Sequence, residues 1–169
     1  MIKAIVVMGV SGSGKTTVAR LLAARLGWDF AEADEFHSAA NIGKMRSGIP
    51  LTDEDRAPWL AAIARRIDEA IASGSPVVVT CSALKRRYRD VLIGARREVA
   101  LVYLKGDFET IEQRLRERTH AYMPVSLLKS QFEALEEPAP AENAIVLDVR
   151  NSPEELVEGF MTGNPSIKS

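Results

Sequence analysis

The sequence predicts a doubly wound α/β domain built on a parallel sheet. Three observations predict it. Short β-branched runs alternate with helical patterns along the chain, as in βαβ units. Those runs are continuously apolar rather than alternating, which is what strands buried on both faces require. The first run leads directly into a glycine-rich turn and then an amphipathic helix, with no internal repeat anywhere. A length of 169 residues suits one domain, residues 1–169, with one substantial core.

The first unit is the most informative. Lys3 to Met8 reads KAIVVM, a buried strand, and Thr17 to Leu26 reads TVARLLAARL, with Val18, Leu21, Leu22, Ala24 and Leu26 on an apolar helical face. Between them, Gly9-Val10-Ser11-Gly12-Ser13-Gly14-Lys15-Thr16 fits the phosphate-loop pattern G-x-x-x-x-G-K-[ST] without a mismatch. Glycines let the backbone curl so that successive N–H groups point inward, and the helix N-terminus adds partial positive charge. Gly9, Ser11, Gly12, Ser13, Gly14, Lys15, Thr16 and Thr17 are therefore the expected nucleotide cradle. Lys15 is expected to reach the β- and γ-phosphates, and the Thr16 hydroxyl to coordinate Mg²⁺.

Gly27 is placed to stop the first helix, and Trp28 to Glu32 forms a short second strand. Glu32, Asp34, Glu35 and His37 follow at its carboxyl end, where ligands lie in open parallel sheets. An acidic group there suits either Mg²⁺ binding or acceptance of a substrate hydroxyl proton. Ser38 to Ser47 reads as a short helix capped by Ser38 and ended by Gly48. A longer helix opens at Thr52, with Trp59, Ile63, Ile67 and Ile71 recurring every four residues and Leu60 beside them, a core-facing stripe. Arg56 sits in its first turn, where a cation opposes the helix dipole, so a partner is expected: Asp53 or a substrate anion.

Val77 to Cys81 is the third strand, followed by the small residues Ser82 and Ala83. Cys81 reads as a small core hydrophobe. Lys85 to Asp90 is a basic helical run in which Lys85 and Arg89, four apart, share a face toward the crevice. Val99 to Leu104 is the fourth strand. In the helix after it Arg114 and Arg118 form an i, i+4 pair ahead of an irregular segment, the pattern of a lid at about residues 118–126 that closes over phosphates. Val125 to Leu135 is helical, Ala144 to Val149 is the fifth strand, and Ser152 with Pro153 starts the last helix as N-cap and first helical residue. Gly163 to Ser169 reads as frayed.

Composition removes several classes. With 46% hydrophobic and 27% charged residues the chain is neither disordered nor membrane-embedded. A net charge of −1 argues against a general nucleic-acid or acidic-membrane binder. One cysteine excludes an internal disulfide framework and a multi-cysteine zinc site. The first strand begins almost at Met1 and no apolar run is long enough to span a bilayer, so the expected location is cytoplasmic.

GVSGSGKTT, ADEFHSAANIGKMRSGIPLTDEDRAPWL, CSALKRRYRDVL, YLKGDFETIEQRL and SLLKSQFEALEEP together resemble the small P-loop gluconate kinases, related in fold to shikimate and adenylate kinases. That resemblance implies a five-stranded parallel sheet with a small lid, ATP and Mg²⁺ as cofactors, a homodimer, and transfer of the ATP γ-phosphoryl group to the terminal hydroxyl of D-gluconate. Carried over by motif, Asp34 resembles the acidic residue at the sugar acid, which also serves as base. Arg56 and Arg89 resemble the pair near gluconate, with Lys44, His37 and Lys85 on the same side. Arg114 and Arg118 resemble the lid-side arginines over the phosphates, which makes Lys15, Asp34 and Arg118 the expected catalytic group. The Asp148 to Pro153 turn matches the adenine site of such folds. Glu32 stands where the family usually has aspartate, and Ala121 where its lid motif has histidine. A same-fold kinase of another small acid or nucleotide is the nearest alternative. A guanine-nucleotide switch is more distant, since none of the four asparagines is followed by lysine.

Overall fold

The computed structural model describes residues 1–118 and 125–168. Its strands are β1 (Ala4–Met8), β2 (Asp29–Glu32), β3 (Val77–Thr80), β4 (Val99–Lys105) and β5 (Ile145–Asp148). Its α-helices are α1 (Lys15–Leu26), α2 (Ala39–Arg46), α3 (Asp53–Ser73), α4 (Arg86–Leu92), α5 (Phe108–Glu117), α6 (Val125–Ala134) and α7 (Pro153–Gly163). The five strands form one parallel sheet in the order β2-β3-β1-β4-β5, as the doubly wound expectation requires.

Every residue of β1 is fully buried, and the reason is that both faces of the sheet are covered. Ala4, Val6 and Met8 face a cluster containing Trp59, Ile63 and Ile67 of α3. Ile5 and Val7 face the other layer, with Val18 and Leu22 of α1 and Leu156 and Phe160 of α7. Burying side chains of this size contributes about 1.5–3 kcal/mol each, so the apolar runs that announce the strands also supply the core. Among the described residues no helix is long and apolar enough to cross a membrane.

Helix ends follow local chemistry. Ser38 caps α2 by accepting from the Asn41 N–H at 3.1 Å. Thr52 and Asp55 form a reciprocal capping box that starts α3, and Ser152 and Glu155 do the same for α7 with Pro153 in its first turn. Two expected boundaries move. The β3 ladder ends at Thr80, leaving Cys81 to Lys85 as a connection, and α4 begins at Arg86 with Lys85 as its N-cap. The chain after Gly163 is not frayed over its described part, because Pro165–Lys168 forms a 3₁₀ turn and Ile167 packs into the α1–α7 layer. The expected lid falls largely on 119–124, outside the described residues.

Candidate active site

β1 stops at Met8 and the loop from Gly9 crosses the carboxyl end of the sheet into α1, beside the position where strand order reverses. The loop is tightly fitted. A Cβ on Gly9 would lie 2.6 Å from the Ser13 hydroxyl and 3.1 Å from the Leu104 carbonyl oxygen, so only glycine fits there. Gly12 adopts φ +82°, and a Cβ there would meet Leu115 of α5 at 2.7 Å. The Lys15 ammonium folds back and donates to the Gly9 and Val10 carbonyls at 3.0 and 3.1 Å. Burial lowers the Lys15 pKa, while the negative charges of Asp34 and Glu32 oppose that shift and Arg118 adds to it. Lys15 is thus the point on which Asp34, Glu32 and Arg118 converge electrostatically.

Behind the loop, Thr16 Oγ1 donates to the Glu32 carboxylate at 3.0–3.1 Å, and Thr80 Oγ1 donates to the same carboxylate at 2.8 Å. Two hydroxyls, from α1 and β3, therefore fix Glu32 beside the start of α1. The longer side chain at this position does not remove it from the loop. Asp34 lies in the 3₁₀ turn Ala33–Phe36 that leaves β2, and it is exposed. That turn is anchored at its first residue: the Ala33 carbonyl accepts from the buried Trp59 indole N–H at 2.7 Å, and its N–H donates to Thr80 Oγ1 at 3.4 Å. Losing the indole donor would leave a buried carbonyl unpaired, a cost of about 1–3 kcal/mol.

The facing cluster is made of side chains. His37 stacks on Trp59 with centroids 4.3 Å apart and planes 8° from parallel. The Asn41 amide nitrogen donates to the Asp55 carbonyl at 2.9 Å and sits 3.3 Å from His37 Nδ1. With Asn41 donating, Nδ1 accepts and the ring proton lies on Nε2. Burial lowers the His37 pKa, which agrees with a neutral ring. Lys44 pairs with both oxygens of Asp55 at 2.9 Å. Arg56 finds two partners: the Tyr88 hydroxyl at 3.2 Å, and Asp53 at 3.8 Å, the partner its helix position calls for. Tyr88 in turn donates to Asp53 at 2.7 Å, and Arg87 pairs with Asp53 at 2.5 Å.

Some expected site residues are placed otherwise. Arg89 is 2% exposed, donates to both Glu142 oxygens at 2.6 and 3.2 Å, and donates to the Ala83 carbonyl at 2.8 Å. It offers no surface to an anion in the crevice. The shared face with Lys85 fails because Lys85 precedes the helix, so the two are not successive turns of one stripe. The expected Arg114–Arg118 pair is also split. α5 ends at Glu117, Arg118 is its extended C-cap, and Arg114 turns aside to donate to the Val149 carbonyl. Arg114 thus lies against the turn between β5 and α7 that leads to Pro153, while the charge of Arg118 acts on Lys15. Cys81 is buried and its thiol is pushed up to about 12 by burial, as a core residue should be.

Asn41, Asp55, Tyr88 and Gln131, which the structure brings into these clusters, were not singled out by the sequence, whereas Asp53 was, as the partner of Arg56. The sequence signal at Tyr88 was present, an aromatic amid four basic residues. Gln131 carried none, because its partner lies 120 residues away.

Comparison with known proteins decides which acceptor such a cradle serves in its relatives. A family model described as an AAA domain matches residues 5–138. The gluconokinase of Gluconobacter oxydans is 46% identical over 154 residues, covering 91% of this chain and 86% of that protein. The chain belongs to the gluconokinase family. The thermosensitive gluconokinase of Escherichia coli is likewise 46% identical, over 83% of this chain and 75% of its own length. The crystal structure of a gluconokinase from Sinorhizobium meliloti, 46% identical, superposes with a TM-score of 0.87 over 98% of this chain and 93% of that one. A P-loop kinase fold of this kind implies nucleotide binding.

Proposed function

We propose that this gluconokinase-family chain transfers the γ-phosphoryl group of ATP to the terminal hydroxyl of D-gluconate, giving 6-phospho-D-gluconate and ADP. One observation carries the reading: the Lys15 ammonium, the pivot of the phosphate loop, shares its electrostatic environment with Asp34 on a turn anchored by α3. That shared environment supports donor phosphates at Lys15 beside an acceptor hydroxyl at Asp34. The hydroxyl proton passes to the Asp34 carboxylate as the oxygen forms its bond to the γ-phosphorus, and the bond to the β–γ bridging oxygen breaks in line, releasing ADP. Lys15 leaves its two carbonyl partners for the phosphate oxygens, Arg118 adds charge at the closing side, and Arg114, held at the Val149 carbonyl, stands with Pro153 on the nucleotide side. Arg56, held by Asp53 and Tyr88, receives the sugar-acid carboxylate, with Lys44, His37 and Lys85 lining the same side. Arg89 serves instead as a buried brace.

The donor set also fits Mg²⁺. Among the described residues there is no cluster of three or more His, Cys, Asp or Glu, and none is needed, since this cation keeps its waters and uses one or two protein oxygens with substrate phosphates. Thr16 Oγ1, with its proton directed to Glu32, presents its lone pairs for that purpose. When bound, the cation neutralises charge on the β- and γ-phosphates. One kinase domain over residues 1–169, a cytoplasmic location and a homodimer belong to the same proposal, and sedimentation of the purified chain tests the last.

The direct test is a coupled assay of ADP release over a panel of acceptors. ADP production should rise steeply with D-gluconate. A rise with shikimate or a nucleoside monophosphate and none with gluconate would overturn the assignment.

A further inference from the structure

The phosphate loop is touched by the two helices on either side of residues 119–124. Leu115 of α5 covers Gly12, and Gln131 of α6 engages the adjacent Ser11. The second contact runs in both directions: Ser11 N–H donates to Gln131 Oε1 at 2.7 Å, and Gln131 Nε2 donates to Ser11 Oγ at 2.9 Å. A side-chain amide that gives and receives at one residue fixes that residue's orientation as well as its position. It is also the one described side-chain partner of a main-chain N–H in this loop.

α6 itself is firmly seated. Leu128, three residues before Gln131, is 1% exposed, and Phe132 packs edge-on against Phe108 of α5 with centroids 5.6 Å apart. Just past its end, Glu136 N–H donates to the Leu84 carbonyl at 2.7 Å, and the Glu136 carboxylate accepts from Arg86 N–H at 2.8 Å. The helix therefore reaches from the phosphate loop to the connection that opens α4 on the acceptor side. One backbone hydrogen bond joins the base of the loop to that connection, from Gly9 N–H to the Ser82 carbonyl at 3.4 Å, and the amide at position 131 is where the helix grips the crest of the loop.

We propose that Gln131 is a positioning residue for phosphoryl transfer: acting through Ser11, it holds the crest of the phosphate loop in register with α6. The proposal rests on nucleotide binding at this loop and on the kinase reading above. Ser11 lies in the expected phosphate cradle, so a slack crest misplaces the transferred group, and misplacement costs rate steeply. The acceptor side is held by other residues and is not loosened by the loss of this amide.

The test compares Gln131→Met, which keeps length and removes both hydrogen bonds, with Gln131→Glu, which still accepts from Ser11 N–H but brings negative charge beside the phosphates. For Gln131→Met, kcat should fall at least tenfold and the KM for ATP rise several-fold, with the KM for D-gluconate within twofold of the parent. Gln131→Glu should keep the parent melting temperature and bind a non-hydrolysable ATP analogue more weakly than Gln131→Met does, by calorimetric titration. That titration needs no acceptor, so it stands if the gluconate assignment fails. Parent-like kcat and ATP KM in Gln131→Met would overturn the proposal, as would equal rises in both KM values. If Gln131→Met does not fold, the Gln131→Glu titration decides alone, and parent-like nucleotide affinity there overturns it.

Discussion

The phosphate loop and the cluster facing it are built on opposite principles. The loop draws on consecutive residues, Gly9 to Thr17, and its backbone N–H groups take directions that follow from glycine conformations. The facing cluster gathers side chains from the Ala33–Phe36 turn, α2, α3 and α4, and every cation in it that the structure pairs is held by a carboxylate of the same chain: Lys44 by Asp55, Arg56 and Arg87 by Asp53. A backbone cradle is made once and tolerates little. A cluster of mutually satisfied side chains can be retuned one residue at a time, and on the proposed function it exchanges an internal carboxylate for that of the sugar acid.

If that contrast is right, damage to the loop should be severe and damage to the cluster graded. Lys15→Met is expected to lower kcat about a thousandfold, about 4 kcal/mol of barrier, in an ADP-release assay. Turnover within tenfold of the parent would remove Lys15 from the reaction. Glu142→Gln strips the buried Arg89 of its counter-charge and should lower unfolding free energy in urea by about 3 kcal/mol. An unchanged midpoint would show that Arg89 does not depend on this pair. Asp34→Asn should reduce kcat about a hundredfold while nucleotide affinity, read by titration, stays near that of the parent. Equal losses in both would assign Asp34 to the donor half.

Smaller effects sharpen the cluster side. Tyr88→Phe removes the hydroxyl that bridges Arg56 and Asp53, and the gluconate KM should rise about fivefold, about 1 kcal/mol, with the ATP KM unchanged. The smallest is a pH effect. The Asp55 carboxyl is held at about 2, against an ordinary 3.8, by hydrogen bonds from Lys44 and then from Thr52. A carboxyl lowered by folding stabilises above its unfolded pKa, and the contribution is lost as pH falls through the folded value. Asp55→Asn should therefore melt slightly below the parent at pH above about 4, and the two curves should converge toward about pH 2. A constant offset across that range would mean the loss is not electrostatic.

Much of the donor half was legible because its determinants are neighbours in the chain. KAIVVM had to be a strand covered on both sides, the turn after it had to curl, and Ser38, Thr52 and Ser152 each announced a helix start that local hydrogen bonds then made. Arg56 was legible as a cation in need of a partner because a helix N-terminus is a local fact. Arg89 was not. Its basic neighbours suggested a solvent or ligand face, and only the return of the chain at Glu142, 53 residues later, turned it inward. Arg118 was misaligned with Arg114 for a similar reason: periodicity cannot say where a helix stops when no strong stop residue marks it.

By itself the sequence determined the strand and helix succession, the glycine-rich loop between the first strand and helix and, through its motifs, the family. These rest on periodicity, on glycine and capping chemistry, and on contiguous residues, all of which act within a few positions. Only the tertiary structure decided which charges remain available to a ligand, that Glu32 is fixed between Thr16 and Thr80, and that Gln131 meets Ser11. An ion pair or an amide bridge forms between whichever groups the packed helices bring within about 3 Å, and that distance depends on the whole core rather than on either partner.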